Sequence, residues 1–214
     1  MTWYTYFDIV CKMTKVKICG IKDLNDAISA VYYGADAIGF VFAKSIRKVS
    51  KEKARAIIRK LPPFVTTVGL FVNETAENIE AARRFCGLDA IQLHGDEQPN
   101  IINKLKDIKT IKAFRIQNEK DISPIRKYKP NAILLDGYSE NQMGGTGTSF
   151  DWKIVKKLKT SIPIIVAGGL THLNVSQAIK TVNPYGVDVS SGVERERGVK
   201  DKRLIKKFIN AVKG

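Results

Sequence analysis

Four residues of this chain combine a reactive side chain with an unusual position. Cys19 closes the apolar run Val16-Lys17-Ile18, Asp136 closes Ile133-Leu134-Leu135, and His94 follows Ala90-Ile91-Gln92-Leu93. Arg47 stands in the connection after Ala37-Ile38-Gly39-Phe40-Val41-Phe42. A carboxylate at the end of an apolar run is costly to bury without a purpose or a partner. Each residue also has a purely structural explanation: cysteine is often a small buried apolar residue, an aspartate before Gly137 can begin a turn, and His94 beside Gly95 can hydrogen-bond locally. A second set consists of glycine-bearing segments, Gly144-Gly145-Thr146-Gly147, Gly168-Gly169 and Ser190-Ser191-Gly192. Backbone N–H groups exposed by glycines, with hydroxyls and a helix N-terminus nearby, form a cradle for an anion. None of these segments carries the Gly-Lys-Ser/Thr of a nucleotide P-loop, so the expected anion is a sugar phosphate rather than ATP.

The elements that must position these residues alternate regularly. Short β-branched apolar runs predict strands near residues 16–19, 37–42, 66–72, 90–93, 110–114, 132–136, 162–167 and 186–190. Helical periodicity fills the intervals, near residues 24–33, 51–60, 76–86, 99–106, 119–127, 152–158, 174–181 and 203–212. Asp23, Ser50 and Asp151 suit helix N-caps, and Gly34 and Gly87 suit the left-handed position after a helix. The strands read as continuous apolar runs, so both faces must be covered, as in a parallel sheet. Setting aside residues 1–14 as an extension or an upstream start leaves one domain, 15–214, of about 25 residues per βα unit, the scale of a compact (β/α)8 TIM barrel. The alternative is a doubly wound open sheet, which would place G-x-G-x-x-G after the first strand, where this chain has Cys19-Gly20-Ile21-Lys22. In a barrel the residues that end the strands share one rim, with the phosphate cradle expected after strands seven and eight. The connection over residues 137–149 is the longest and is expected to act as a lid that orders on ligand binding.

Composition narrows the classes further. The chain has 214 residues, is 44% hydrophobic and carries a formal charge of +15, which is the balance of a globular protein whose field attracts anions. Its basic residues are scattered along solvated helix faces, so neither a nucleic acid nor a membrane is expected as partner. No apolar run reaches the ~20 residues that cross a bilayer. The start lacks the basic n-region of a secretory signal. Cys11, Cys19 and Cys86 show neither a disulfide framework nor metal-ligand spacing, so no zinc site is indicated and a reducing cytoplasm is the expected compartment.

Taken in order, Val16-Lys17-Ile18-Cys19-Gly20-Ile21, Gly39-Phe40-Val41-Phe42, Gln92-Leu93-His94-Gly95, Leu134-Leu135-Asp136, Gly144-Gly145-Thr146-Gly147 with Phe150-Asp151-Trp152, Ala167-Gly168-Gly169-Leu170 and Asp188-Val189-Ser190-Ser191-Gly192-Val193-Glu194 resemble phosphoribosylanthranilate isomerases of tryptophan biosynthesis. The resemblance covers residues 15–201. It implies an Amadori rearrangement of N-(5-phosphoribosyl)anthranilate to 1-(2-carboxyphenylamino)-1-deoxyribulose 5-phosphate, without cofactor or metal, in a monomer or homodimer. It also implies Cys19 as general base and Asp136 as general acid, with Arg47 facing the anthranilate carboxylate. The wider substrate-binding set becomes Arg47, His94, Gly144, Gly145, Gly147, Gly168, Gly169, Asp188, Ser190, Ser191 and Gly192. For these roles Asp136 should hold its proton through partial burial, and Cys19 should ionise with help from the helix behind Asp23 and nearby basic residues. The chain departs from the family pattern at Ala43, Lys44 and Lys48, where aromatic residues and a proline are usual, and at Arg195-Glu196-Arg197-Gly198. A sister isomerase of a histidine-pathway intermediate or an indole-forming synthase would place an aspartate or a lysine where Cys19 stands. A basic RNA-binding barrel would show stacking aromatic motifs, and the sequence has none of the RNP type.

Overall fold

The computed structural model describes residues 13–137 and 152–214. Of residues 1–14, read above as an extension or upstream start, residues 1–12 lie outside the described residues, as do Asp151 and nearly all of the connection expected to form a lid. The elements run in the order β1 (Lys15–Cys19), α1 (Leu24–Tyr32), β2 (Ala37–Val41), α2 (Lys51–Ile58), β3 (Thr66–Phe71), α3 (Ala76–Cys86), β4 (Ala90–Leu93), α4 (Asn100–Lys104), β5 (Lys109–Ile116), β6 (Ala132–Gly137), β7 (Ile164–Ala167), α5 (Val175–Val182), β8 (Gly186–Val189), β9 (Glu194–Glu196), β10 (Val199–Lys200) and α6 (Lys202–Lys213). Strands β1 to β8 are parallel and close into a barrel, with β1 pairing β2 on one side and β8 on the other. The closed barrel is the architecture expected from the sequence, and the open sheet is excluded by the β1–β8 seam.

Helix boundaries follow their caps. The side chains of Asp23 and Ser50 accept from the N–H groups of Asp26 and Lys53, and Gly87 ends α3 at φ 78°. Two expected helices are 3₁₀ instead. In Glu119–Lys127 an Asn118–Asp121 capping box starts the segment, and Pro124, which has no N–H to donate, lies inside it. In Trp152–Lys157, Trp152 and Val155 are both buried, as suits the near-eclipsed i, i+3 spacing of that helix. The seventh strand starts two residues later than expected because Pro163 contributes only its carbonyl, which accepts from Ile133 N–H at 2.9 Å. The β9–β10 hairpin was not expected; it turns at Gly198, whose φ is +82°.

Side chains alternate across each strand. Val16, Ile18, Ile38, Phe40, Ile91, Leu93, Val187 and Val189 point outward and pack with helical residues such as Ile79, Ile205 and Phe208 into the main core. The barrel's interior is divided. Ile111, Ala113, Ala132, Leu134, Ile165 and Ala167 of β5, β6 and β7 form an apolar cluster, whereas Lys17 of β1, Asp188 of β8 and Gln92 of β4 bring polar groups to the opposite side, all buried. Among the described residues, no helix is long and apolar enough to cross a membrane.

Candidate active site

Alternation places Cys19 on the same inward face as Lys17, and Asp136 on the same inward face as Leu134, so thiol and carboxyl both enter the barrel at its C-terminal mouth. Strands β1 and β6 are three steps apart around the ring, which sets the two side chains across the mouth from one another. Cys19 is 5% exposed, while the Asp136 side chain keeps 31% of its surface. Burial pushes the Cys19 thiol above its ordinary range, although Lys17 and Lys200 act in the opposite direction. The ready ionisation expected from the sequence is therefore not the resting condition: loss of water around the sulfur outweighs the neighbouring cations.

His94 joins Asp136 from the neighbouring side of the rim. Its Nε2 lies 3.1 Å from Asp136 Oδ2, and its Nδ1 lies 2.8 Å from Gln92 Nε2. An amide nitrogen can only donate, so Nδ1 accepts and the ring hydrogen sits on Nε2, directed at the carboxylate. The loop carrying His94 is held by Glu97, which accepts from the N–H groups of Gly95 and Asn73 and pairs with buried Lys112 at 3.0 Å. Gln92 was not singled out in the sequence, yet it lies two residues before His94 and shares its face, which the period of two makes visible.

Arg47 crosses to the end of the barrel. Its Nε and Nη2 each donate to Glu194 at 2.7 Å, and Glu194 also accepts from Lys200 Nζ at 2.9 Å and Gly198 N–H at 3.0 Å. Against the cost of burial, Arg47, Gly198 and Lys200 hold the Glu194 carboxyl at about 2. One edge of the planar fork is thus fixed by the protein, and three of the guanidinium's five N–H groups lie outside that bidentate pair. Ser190 Oγ donates to Cys19 O at 3.0 Å and lies 3.2 Å from Lys200 Nζ, tying the end of β8 to the end of β1. Asp188 lies one layer below Cys19, where Lys17 Nζ is 3.0 Å from its Oδ1.

The glycine loops after β7 and β8 meet. At Gly192 an added Cβ would lie 1.9 Å from Leu170 O, so only glycine permits this approach of the two loops. Gly168 has φ +81°, and a Cβ there would lie 2.3 Å from Gly137 N and 2.7 Å from Asp136 Oδ1. Gly168→Ala is therefore expected to destabilise the fold by about 1–3 kcal/mol and to lower turnover through Asp136; thermal unfolding and steady-state rates measure the two effects separately. Gly169 continues the same loop at φ +62°, and Ser191 opens a short 3₁₀ turn through Val193. Gly144, Gly145 and Gly147 lie outside the described residues. Among the described residues, no group of three or more His, Cys, Asp or Glu side chains is placed to hold a metal ion.

A closed (β/α)8 ring with ionisable side chains gathered at the C-terminal ends of its strands defines a barrel enzyme. The family model for N-(5'-phosphoribosyl)anthranilate (PRA) isomerase matches residues 16–211, and the chain belongs to that family of isomerases. Proteins named N-(5'-phosphoribosyl)anthranilate isomerase from Pelobacter propionicus and Geobacter sulfurreducens are each 49% identical, over 94% of this chain and 96% and 100% of their own lengths. The crystal structure of the phosphoribosyl anthranilate isomerase from Thermotoga maritima superposes with a TM-score of 0.87 at 43% identity, covering 94% of this chain and 98% of that one. A further solved isomerase of this name, in complex with reduced 1-(o-carboxyphenylamino)-1-deoxyribulose 5-phosphate, gives 0.83 at 42% identity over 94% and 98%.

Proposed function

We propose that this protein converts N-(5-phosphoribosyl)anthranilate to 1-(2-carboxyphenylamino)-1-deoxyribulose 5-phosphate in tryptophan biosynthesis, as a cytoplasmic enzyme, with Asp136 as general acid and Cys19 as general base. The observation that carries this reading is the placement of those two inward side chains across one barrel mouth. Asp136 gives a proton to the ribose ring oxygen as the C1–O bond breaks, and the aniline nitrogen takes up the resulting cation as an iminium. The iminium acidifies the C2–H bond, and the Cys19 sulfur removes that proton to leave an enolamine, which tautomerises to the ketone. The tautomerisation carries the 2-hydroxyl proton to C1; Cys19 passes its thiol proton to solvent before it acts, and Asp136 regains one from solvent afterwards, so the steps balance without an oxidant or a cofactor.

The cation also favours the ionised sulfur beside it, which offsets the burial that keeps the thiol protonated at rest. His94 Nε2–H bonds Oδ2 of Asp136, leaving Oδ1, the oxygen beside Gly168, to carry the transferable proton. Arg47 offers the unpaired edge of its fork to the anthranilate carboxylate. Gly168, Gly169, Ser191 and Gly192 surround the phosphate, and Ser190 and Asp188 shape the wall and floor nearest Cys19. The ligand in the relative's complex is a reduced form of the same product, which supports this assignment of substrate.

Freshly prepared phosphoribosylanthranilate, followed by the decay of its anthranilate fluorescence, tests the activity; no enzyme-dependent decay would overturn it. Arg47→Ala is expected to raise KM with little change in kcat, as loss of uniform binding does. A fall in kcat at unchanged KM would remove the carboxylate-binding role. The chain acts as a monomer or homodimer, and one solved relative is described as monomers generated from a dimeric isomerase; sedimentation equilibrium distinguishes the two.

A further inference from the structure

Beneath the sulfur of Cys19 lies an ion pair that takes no part in the proton transfers proposed above. Lys17 and Asp188 are inward residues of β1 and β8, in register with each other across the barrel seam, and both are buried. Lys17 Nζ also lies against the thiol: a Cβ built on Gly39, the β2 residue paired with Cys19, would be 2.8 Å from Cys19 Sγ and 3.1 Å from Lys17 Nζ. Gly39 thus leaves room for ammonium and sulfur to share one small space. A lysine inside a barrel is expensive, and a packing role alone would be filled more cheaply by an apolar residue, as β5, β6 and β7 do on the other side.

We propose that Lys17 is a positioning residue that acts as the counter-ion of the Cys19 thiolate, while Asp188 fixes the ammonium in place and limits how strongly it draws out the thiol proton. The proposal deepens the isomerase reading, since it concerns the base of that reaction. The charged groups that act on the sulfur are Lys17 on its own strand, Asp188 on β8, Lys200 on β10 and Arg47 in the β2–α2 connection; Glu194 stands behind the last two. Lys200 and Arg47 share the Glu194 carboxylate, whereas the Lys17 ammonium, though paired with Asp188, occupies the same small space as the sulfur beside Gly39. Burial works against the charge on Lys17, yet Asp188 and Cys19 together hold its ammonium above the ordinary lysine range.

The two partners should move the thiol in opposite directions, which damage to the fold would not do. The Cys19 ionisation midpoint can be read from the ¹³Cβ resonance of labelled cysteine in the full-length protein without substrate, assigned by its loss in Cys19→Ser. Asp188→Asn is expected to lower the midpoint by about one pH unit, the scale of one nearby charge, and Lys17→Met to raise it by about one or more. Because Lys17→Met alone strands a buried carboxylate, the double variant Lys17→Met, Asp188→Asn is compared with Asp188→Asn; the added substitution should raise the midpoint by about one unit. An unchanged midpoint on removing Lys17 in that comparison, or an upward shift in Asp188→Asn, would overturn the counter-ion role. Turnover is measured separately: a Cys19→Ser variant with full activity would remove the base assignment while the titration still decides the role of Lys17.

Discussion

Asp136→Asn is expected to lower turnover by about 10² or more while the barrel stays folded, the loss associated with a missing general acid. The substitution is nearly isosteric, and the side-chain carbonyl of asparagine still accepts from His94 Nε2–H, so the Gln92–His94 relay keeps its geometry. What asparagine cannot do is release a proton to the ring oxygen. The effect should therefore appear in kcat and in kcat/KM together, since the proton is needed only as the C1–O bond breaks. An unchanged melting profile with a collapsed rate is the expected pair of results; an active Asp136→Asn enzyme would mean that another group opens the sugar.

Cys19→Ser should cost at least as much, again about 10² or more. Serine loses little volume in the buried site, but its hydroxyl is far harder to ionise than a thiol, so removal of the C2 proton stalls. Here pH gives a second readout. The active form pairs a protonated Asp136 with an ionised Cys19, so the alkaline limb of the parent enzyme's kcat/KM profile should report the ionisation of Cys19 and lie above the ordinary thiol range, where burial holds it. That limb should vanish in Cys19→Ser. Retention of both the limb and the rate in the serine variant would end the role of Cys19 as base.

Much of this molecule was legible in its sequence, and the exceptions have physical causes. The eight strands were readable because each is a short apolar run covered on both faces, and Cys19 and Asp136 stood out by ending such runs. Lys17, Gln92 and Asp188 were harder. They sit inside Val-Lys-Ile-Cys, Ile-Gln-Leu-His and Val-Asp-Val, where a polar residue looks like an interruption until it is paired with the functional residue two positions on. The Arg47–Glu194 pair joins residues 147 positions apart, and no local pattern encodes such a contact. The β9–β10 hairpin was hidden for a related reason: it is short and polar, and it is held by Glu194 and Lys200 rather than by an apolar stripe. Pro124 and Pro163, by contrast, were visible signals for the 3₁₀ segment and the shortened seventh strand, because a missing N–H is written directly in the residue type.

The seam between the first and last strands has a consequence for how the enzyme comes into being. Cys19 precedes Ser190, whose hydroxyl donates to its carbonyl, by 171 positions, so it leaves the ribosome well before its surroundings, Asp188 beneath it, Ser190 and Lys200 beside that hydroxyl, are made. Until β8 and β10 have been made, Cys19 lacks the ion pair beneath it and that hydroxyl. A chain truncated upstream of Asp188 lacks the partners that surround Cys19 and is therefore expected to be inert in the fluorescence assay rather than weakly active.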